Sequence, residues 1–504
     1  MRVLISILLF NQLIFSANIL SNCIVAPDTR TFERFQFTFP EQIESEHFIV
    51  HFTTSNADSQ FVNEQWLNLQ CNFGYAQSVI ELAEYALAIF MEADWEMMPP
   101  DCDEGITDEE SPNHCNNFGG NALYDIYLAN DAVGLVAPEN PYPVEPYIGG
   151  FTSFMQVTPL GNEHTFVPDW SVHVIAHELH HAIQIRYGTS VSGEPGNYAY
   201  NGWLYEQTST YMENVIFPAS YHFLVMMGNC NITSPLTYPE ISIDSSVDIY
   251  QYRSALWQKF LVEAYGDSTI NRLIWEGFGL ETATGNPVNM FPIYESALQT
   301  VTDGVTTLGD AYQDYALWRY FTGSRSRPGE FFMQAASYCT ANLLAIEETP
   351  TTFPSEKGGA RLVKLLPYET NLVLASSAYD NLLVQHISFS EEDEILMSSI
   401  EVNGEESFFQ LYNPAGDNHA LLITSEYTAE PGEEIEFTLA NTVPFMEGDI
   451  TGDSMVNVQD IIVQINIILH QIDPTDYQWL AADLDENNVV DVLDVILLVN
   501  LILG

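Results

Sequence analysis

Val174-Ile-Ala-His177-Glu178-Leu-His180-His181-Ala-Ile183 is the stretch that decides the fold around it. On a helix, residues four apart lie one turn apart on the same face, so His177 and His181 can reach a single ion. Glu178, beside them, is placed to take a proton from a water that the ion polarises. Two neutral imidazoles suit Zn²⁺ better than a hard cation. Apolar flanks predict a buried helix over about residues 171–187. His173 shares the face of His177 and reads as a core or supporting residue, whereas His180 reads as facing away.

Working outward, a second element follows at Trp203-Leu-Tyr-Glu206-Gln-Thr-Ser-Thr210-Tyr-Met-Glu213, read as a helix over 202–216. A catalytic zinc needs a third protein ligand and an open position for water, and a Glu on the next helix is one solution. Upstream, His47–Phe52, Ala122–Leu128 and Gly150–Val157 read as strands, and Phe73–Ala93 has helical periodicity. Further helices are expected over 253–265 and 308–322. Strands first and helices after predict an α+β domain across residues 30–345.

HExxH followed by a W-L-x-E…x-Y-x-E helix resembles the gluzincin metallopeptidases, the group that holds the thermolysin-like and aminopeptidase families. The resemblance implies His177, His181 and Glu206 as zinc ligands and Glu178 as general base, with Glu213 supporting the ligands from two turns on. In the commoner version small residues follow the Glu, whereas Gln207 and Ser209 stand here. Tyr250-Gln-Tyr252-Arg-Ser-Ala-Leu-Trp257 resembles the segment in which such enzymes place an oxyanion-stabilising tyrosine. That implies Tyr250, with Tyr252 as the alternative. In these enzymes an edge strand pairs antiparallel with the extended substrate, and Gly149, Gly150 and Thr152 are the residues nominated for it.

Glu347–Pro354 is rich in Pro and Thr and reads as a break. Beyond it, residues 360–442 show short alternating runs at Asn371–Ser376, Leu382–Phe389, Phe408–Tyr412, His419–Thr424 and Ile435–Leu439, separated by Gly, Pro and Asp. Such spacing predicts an all-β, sandwich-like accessory domain.

The tail, residues 446–504, has eleven acidic residues and no Lys or Arg. Within it Asp449-x-Thr451-x-Asp453…Asn457-x-x-Asp460 recurs 34 residues on as Asp483-x-Asp485-x-Asn487…Asp491-x-x-Asp494, each copy followed by an apolar helix. Oxygen ligands at loop positions 1, 3, 5 and 12, with the backbone carbonyls of Met455 and Val489 at position 7, make a cage for Ca²⁺. The duplicated loop–helix units, without leading helices, resemble dockerin type I repeats. The resemblance implies two Ca²⁺ ions, a small α-helical fold and a cohesin-like partner.

Composition bounds the rest. The chain has 504 residues, 46 % hydrophobic and 12 % aromatic, which excludes a disordered or collagenous chain. With 13 Lys+Arg against 69 Asp+Glu the formal net charge is −56, which repels phosphate backbones and anionic lipid and so excludes nucleic-acid binding. Arg2 and the apolar Val3–Phe15 read as an export signal over residues 1–22, and no later segment is apolar enough to span a membrane. Secretion is therefore expected, with a lipid anchor at Cys23 as the lesser alternative. Six cysteines are compatible with three disulfides, and Cys102 with Cys115 is the best pair.

Together these features predict a secreted zinc-dependent peptidase, most simply an endopeptidase. The rivals are an exported aminopeptidase, disfavoured because no G-x-M-E-N-type segment for a substrate amine occurs upstream, and a non-catalytic adhesin or scaffold with a relic zinc site, disfavoured by the intact Glu178.

Overall fold

The computed structural model describes residues 34–503, apart from residues 63–64, 104–105, 109–110, 112–113, 116–119, 130–133, 162, 189–200, 219–220, 283–287, 347–350, 366–370, 390–393, 412–417, 427–433, 442–445, 452–454, 473, 475, 486 and 488. The expected export segment 1–22, Cys23 and the loop residue Asp453 lie outside the described residues.

The chain opens with β1 (Glu41–Glu44) and β2 (Phe48–Phe52), the hairpin β3 (Ser59–Val62) and β4 (Gln65–Asn68), helix α1 (Phe73–Glu92), and strands β5 (Tyr124–Tyr127), β6 (Gly134–Pro141) and β7 (Phe151–Val157). Five of these strands form one sheet in the order β1-β2-β5-β7-β6, parallel at its centre and antiparallel at both edges. Strands β2, β5 and β7 are buried almost throughout, as expected of central strands covered on both faces. Helix α1 starts where the Asn72 side chain accepts from the Gly74 amide, and its stripe Ala76, Val79, Ile80, Ala83, Leu87 and Phe90 is buried at helical spacing.

Helices follow: α2 (Val172–Ile185), α3 (Gly202–Ile216), α4 (Tyr221–Gly228), α5 (Tyr250–Arg253), α6 (Ala255–Tyr265), α7 (Ile270–Thr282), α8 (Met290–Val301) and α9 (Leu308–Tyr320). Helix α2 packs on β6 and β7, against α1 on one side and α3 on the other. It is buried continuously from Val174 to Ile185. The expected helix over 253–265 is divided at Ser254, and left-handed backbone at Asp248 and Ile249 sets its approach. A Thr307–Asp310 capping box starts α9, and Gly266 in left-handed geometry ends α6. Helices α4, α7 and α8 were not anticipated from the sequence.

The strands β8 (Leu344–Ala345), β9 (Thr351–Glu356), β10 (Ala360–Lys364), β11 (Asn371–Ala375), β12 (Leu382–Phe389), β13 (Leu396–Ile400), β14 (Glu406–Gln410), β15 (Asn418–Ser425) and β16 (Glu434–Asn441) form two sheets, β13-β12-β15-β10-β8 and β14-β11-β16-β9. The Pro/Thr-rich segment read as a break thus supplies strand β9: Thr351, Thr352 and Phe353 favour extended backbone, and β9 lies at the end of its sheet, where Pro354 can be accommodated. The tail adds α10 (Val458–Ile468), α11 (Asp476–Ala482) and α12 (Val492–Leu503), with Ile450, Ile467, Ala481, Ala482 and Leu498 as their common core.

The protein is thus a mixed α/β, multi-sheet molecule of two units. One runs to Leu343 and takes in Ser355–Leu362 and Leu422–Ile435. The other comprises Leu344–Pro354, Val363–Leu421 and Glu436–Gly504. Disulfides join Cys102 to Cys115, as expected, and Cys230 to Cys339. Cys71 carries a buried thiol whose pKa burial pushes up to about 12. Among the described residues no helix is long and apolar enough to cross a membrane.

Candidate metal centre

Helices α2 and α3 lie side by side, and their facing sides carry the site. His177 Nε2 lies 3.1 Å from Glu206 Oε2, and His181 Nε2 lies 3.3 Å from the same oxygen. The three residues are buried and offer ligand atoms that all lie within 4.8 Å of one another. Ligands at about 2.0–2.1 Å from a tetrahedral ion stand roughly 3.3–3.4 Å apart, so these separations fit a zinc-sized ion with little movement. His181 Nε2 is buried and makes no hydrogen bond among the described residues, which fits a nitrogen reserved for an ion.

The electrostatics give the donor set that a metal needs. Burial pushes His181 below the ordinary histidine range, favouring the neutral imidazole. Burial alone would raise the Glu206 carboxyl, but His181 and His177 outweigh it and hold the group well below the usual carboxylate range. A buried imidazole pushed toward its neutral form beside an ionised carboxylate is the pairing that metal ligation needs.

Each histidine is held from its far side. His177 Nδ1 lies 2.7 Å from Glu213 Oε1, and the other oxygen of Glu213 lies 2.7 Å from His222 Nδ1. His181 Nδ1 lies 2.7 Å from Gln184 Oε1 and 3.1 Å from Ser209 Oγ, while Gln184 Nε2 donates to the Tyr205 carbonyl. Such partners fix the tautomer and the ring orientation. The two departures from small residues on α3 have work to do. Ser209 bridges His180 and His181, and Gln207 donates to Ser254 Oγ and the Ile243 carbonyl, tying α3 to the segment ahead of α6. His180 turns from the cluster and packs between Phe90 and Trp95.

Glu178 is buried, and strand β6 reaches it at Gly134. A Cβ at Gly134 would stand 2.6 Å from Glu178 Cγ, so only glycine lets the strand come this close.

Not every residue nominated from sequence joins this cluster. Tyr250 is buried elsewhere: its hydroxyl donates to the Ile241 carbonyl, and Tyr315 and Arg319 are among its electrostatic neighbours. Tyr252 instead stacks against His177, with ring centroids 6.0 Å apart. Gly149 and Gly150 precede β7 and Thr152 lies near its start; β7 sits between β5 and β6 in its sheet and pairs with β5 at Met155 and Gln156. A Cβ at Gly150 would meet the Arg186 carbonyl at 2.6 Å, and Thr152 is fully buried. The edge strand beside α2 is β6, which the sequence reading missed. Its Pro138 and Pro141 hint at an edge position, since proline cannot donate to a ladder.

The tail loops repeat one geometry. The Thr451 amide donates to Asp460 Oδ1 at 2.8 Å, and the Asp485 amide donates to Asp494 Oδ1 at 3.2 Å. Asn457 and Asp491 likewise donate their amides to Asp460 and Asp494 Oδ2. Asp483, Asp485 and Asp494 come within 4.8 Å of one another, and the Asn487 amide donates to Asp483 and Asp485. In the first loop the Thr451 hydroxyl donates to Asp449. Met455 and Val489, expected to supply carbonyls, have exposed side chains, consistent with loop positions that use only backbone.

Residues 165–294 match a family of unknown function, DUF6055. The match spans α2, α3, Glu213, His222 and Tyr252. No curated protein matches the chain.

Proposed function

We propose that this chain is a secreted zinc-dependent peptidase. The observation that carries the reading is the convergence of His177 Nε2 and His181 Nε2 on one oxygen of Glu206, at 3.1 and 3.3 Å, with Glu178 next in sequence on the same helix. Zinc held there would polarise a scissile carbonyl and make water a stronger nucleophile near neutral pH.

The chain's own residues supply the remainder. Glu178 takes the proton of the attacking water and delivers it to the leaving amine, the usual work of a positioned carboxylate. Glu213 accepts from His177 Nδ1 and so keeps its Nε2 lone pair aimed at the ion. Strand β6, antiparallel and at the sheet edge, is the place for an extended peptide to add a strand alongside Glu178. Tyr252, beside His177, replaces Tyr250 as the candidate for steadying the oxyanion.

The arrangement suits a gluzincin-type domain, with the sheets of β8–β16 as a sandwich-like accessory module and residues 446–504 as a dockerin-like Ca²⁺-binding tail. Val458 and Ile462 on α10 and Leu469 at its C-cap are exposed, as are their repeat mates Val492, Ile496 and Leu503 on α12. These apolar faces suit a cohesin-like partner. The function is tested by incubating zinc-loaded protein with an unfolded protein substrate. Cleavage that a chelator abolishes and zinc restores supports the reading. No cleavage under any zinc loading overturns it.

A further inference from the structure

Helices α2 and α3 run antiparallel, so that His181 meets the start of α3 and His177 reaches toward its end. Four residues of helix climb about 6 Å, so His173, His177 and His181 make a ladder of imidazoles, faced by Glu206 and, two turns on, Glu213. The rung His177, His181 and Glu206 is the centre described above. The next rung contains His173 and Glu213, and α4 brings His222 to it. One ligand atom from each of these three lies within 4.8 Å of the other two.

We propose that His173, Glu213 and His222 form a second site for a divalent transition-metal ion, separate from the first and completed by water. His173 has no hydrogen-bond partner among the described residues, and its ring stacks on His222 with centroids 4.2 Å apart. Two imidazoles in face-to-face contact beside a buried carboxylate give a donor set of two nitrogens and one oxygen. That set selects zinc, cobalt, nickel or copper over calcium or magnesium. Glu213 has one oxygen engaged by His177, and its other oxygen is turned to His222. To share an ion, His222 must exchange this hydrogen bond for a metal bond and turn its ring edge toward His173. Its side chain, 30 % exposed at the start of a short helix, has the freedom to do so. The same exposure admits water ligands, so this ion is held more weakly than one enclosed by His181 and Glu206.

The test is equilibrium dialysis of the full chain against zinc with calcium in excess to occupy the tail, with metal per chain read by mass spectrometry. It does not depend on peptidase activity. The wild-type chain should bind two zinc ions of unequal affinity. His222→Ala, its milder counterpart His222→Gln, and His173→Ala should each lose the weaker ion and keep the tighter. His181→Ala should lose the tighter ion and keep the weaker. Folding of each variant is checked by circular dichroism, and with two His222 variants a single misfolded protein does not decide the result. A single zinc in the wild type, or an unchanged weaker ion in the folded His222 and His173 variants, overturns the second site while leaving the first untouched.

Discussion

Arg34 is the cation among three carboxylates, and Arg34→Met tests how much that arrangement holds the first unit together. The guanidinium bonds Asp101 and Asp125 and reaches Glu139 at 2.7 and 2.8 Å, joining the loop before Cys102 to strands β5 and β6. Removing one partner of a buried ion cluster typically costs about 3–5 kcal/mol, because the remaining charges are left uncompensated. The lower end, about 3 kcal/mol, applies here near neutral pH for two reasons. Burial pushes Asp101 up to about 8 despite Arg34, so it retains its proton there, and His51 Nε2 lies 2.5 Å from Asp125 Oδ1 and supports that carboxylate. The pH dependence follows from Asp101. Its folded value lies above the unfolded value of about 3.9, so the bound proton contributes stability that is full below about pH 4 and is lost as pH rises through about 8. Without Arg34 the Asp101 proton is held to still higher pH, so the deficit of Arg34→Met grows as pH rises above about 8. Asp101→Asn should flatten the wild-type slope between about pH 4 and about pH 8. Thermal unfolding followed by circular dichroism measures both. At roughly 2–4 °C per kcal/mol, fewer for a unit of this size, the midpoint should fall by about 5–8 °C near pH 7. A midpoint unchanged at alkaline pH, or a gap that narrows as pH rises, refutes the reasoning.

Other outcomes follow from the same structure. Gly134→Ala puts a Cβ 2.6 Å from Glu178 Cγ, so peptide cleavage should fall by about tenfold or more while zinc content is kept; full activity would show that β6 does not position Glu178. Breaking Cys102–Cys115, which closes a separation of 13 residues, should cost about 3 kcal/mol, and breaking Cys230–Cys339, with a separation of 109, about 4–5 kcal/mol, both read from unfolding midpoints. Residues 446–504 should gain helix on adding Ca²⁺, since short helices and self-repelling carboxylates are unstable alone, and calorimetry should find the loop of Asp483, Asp485 and Asp494 tighter than the loop with Thr451. An unchanged spectrum without binding heat would contradict this.

The elements best read from the sequence were those whose pattern is local. The apolar flanks of His177 gave α2 nearly to its ends, and the Asp-rich repeat placed α10 and α12, because the caps and the buried stripe lie in the same few residues. What was missed depends on contacts distant in sequence. That β7 is internal and β6 the edge follows only from pairing with β5, and nothing in Gly149-Gly-Phe-Thr152 signals it. Tyr250 and Tyr252 are two residues apart, and the left-handed turn at Asp248 and Ile249 decides which of them meets His177. His222 had no motif to reveal it, since it joins Glu213 only through the path of α4. Strand β9 was hidden by its proline and threonines, which serve a linker as well as an edge strand.

The central claim is that Glu178 is the base of a zinc peptidase, and Glu178→Gln tests it most directly. The substitution keeps size and shape and leaves His177, His181 and Glu206 in the chain, so zinc at the tight site should remain at the wild-type level. Cleavage of an unfolded protein substrate should fall by about 10² or more, the usual contribution of a general base. Retained zinc with lost turnover is the result expected. Retained zinc with undiminished turnover would contradict the account.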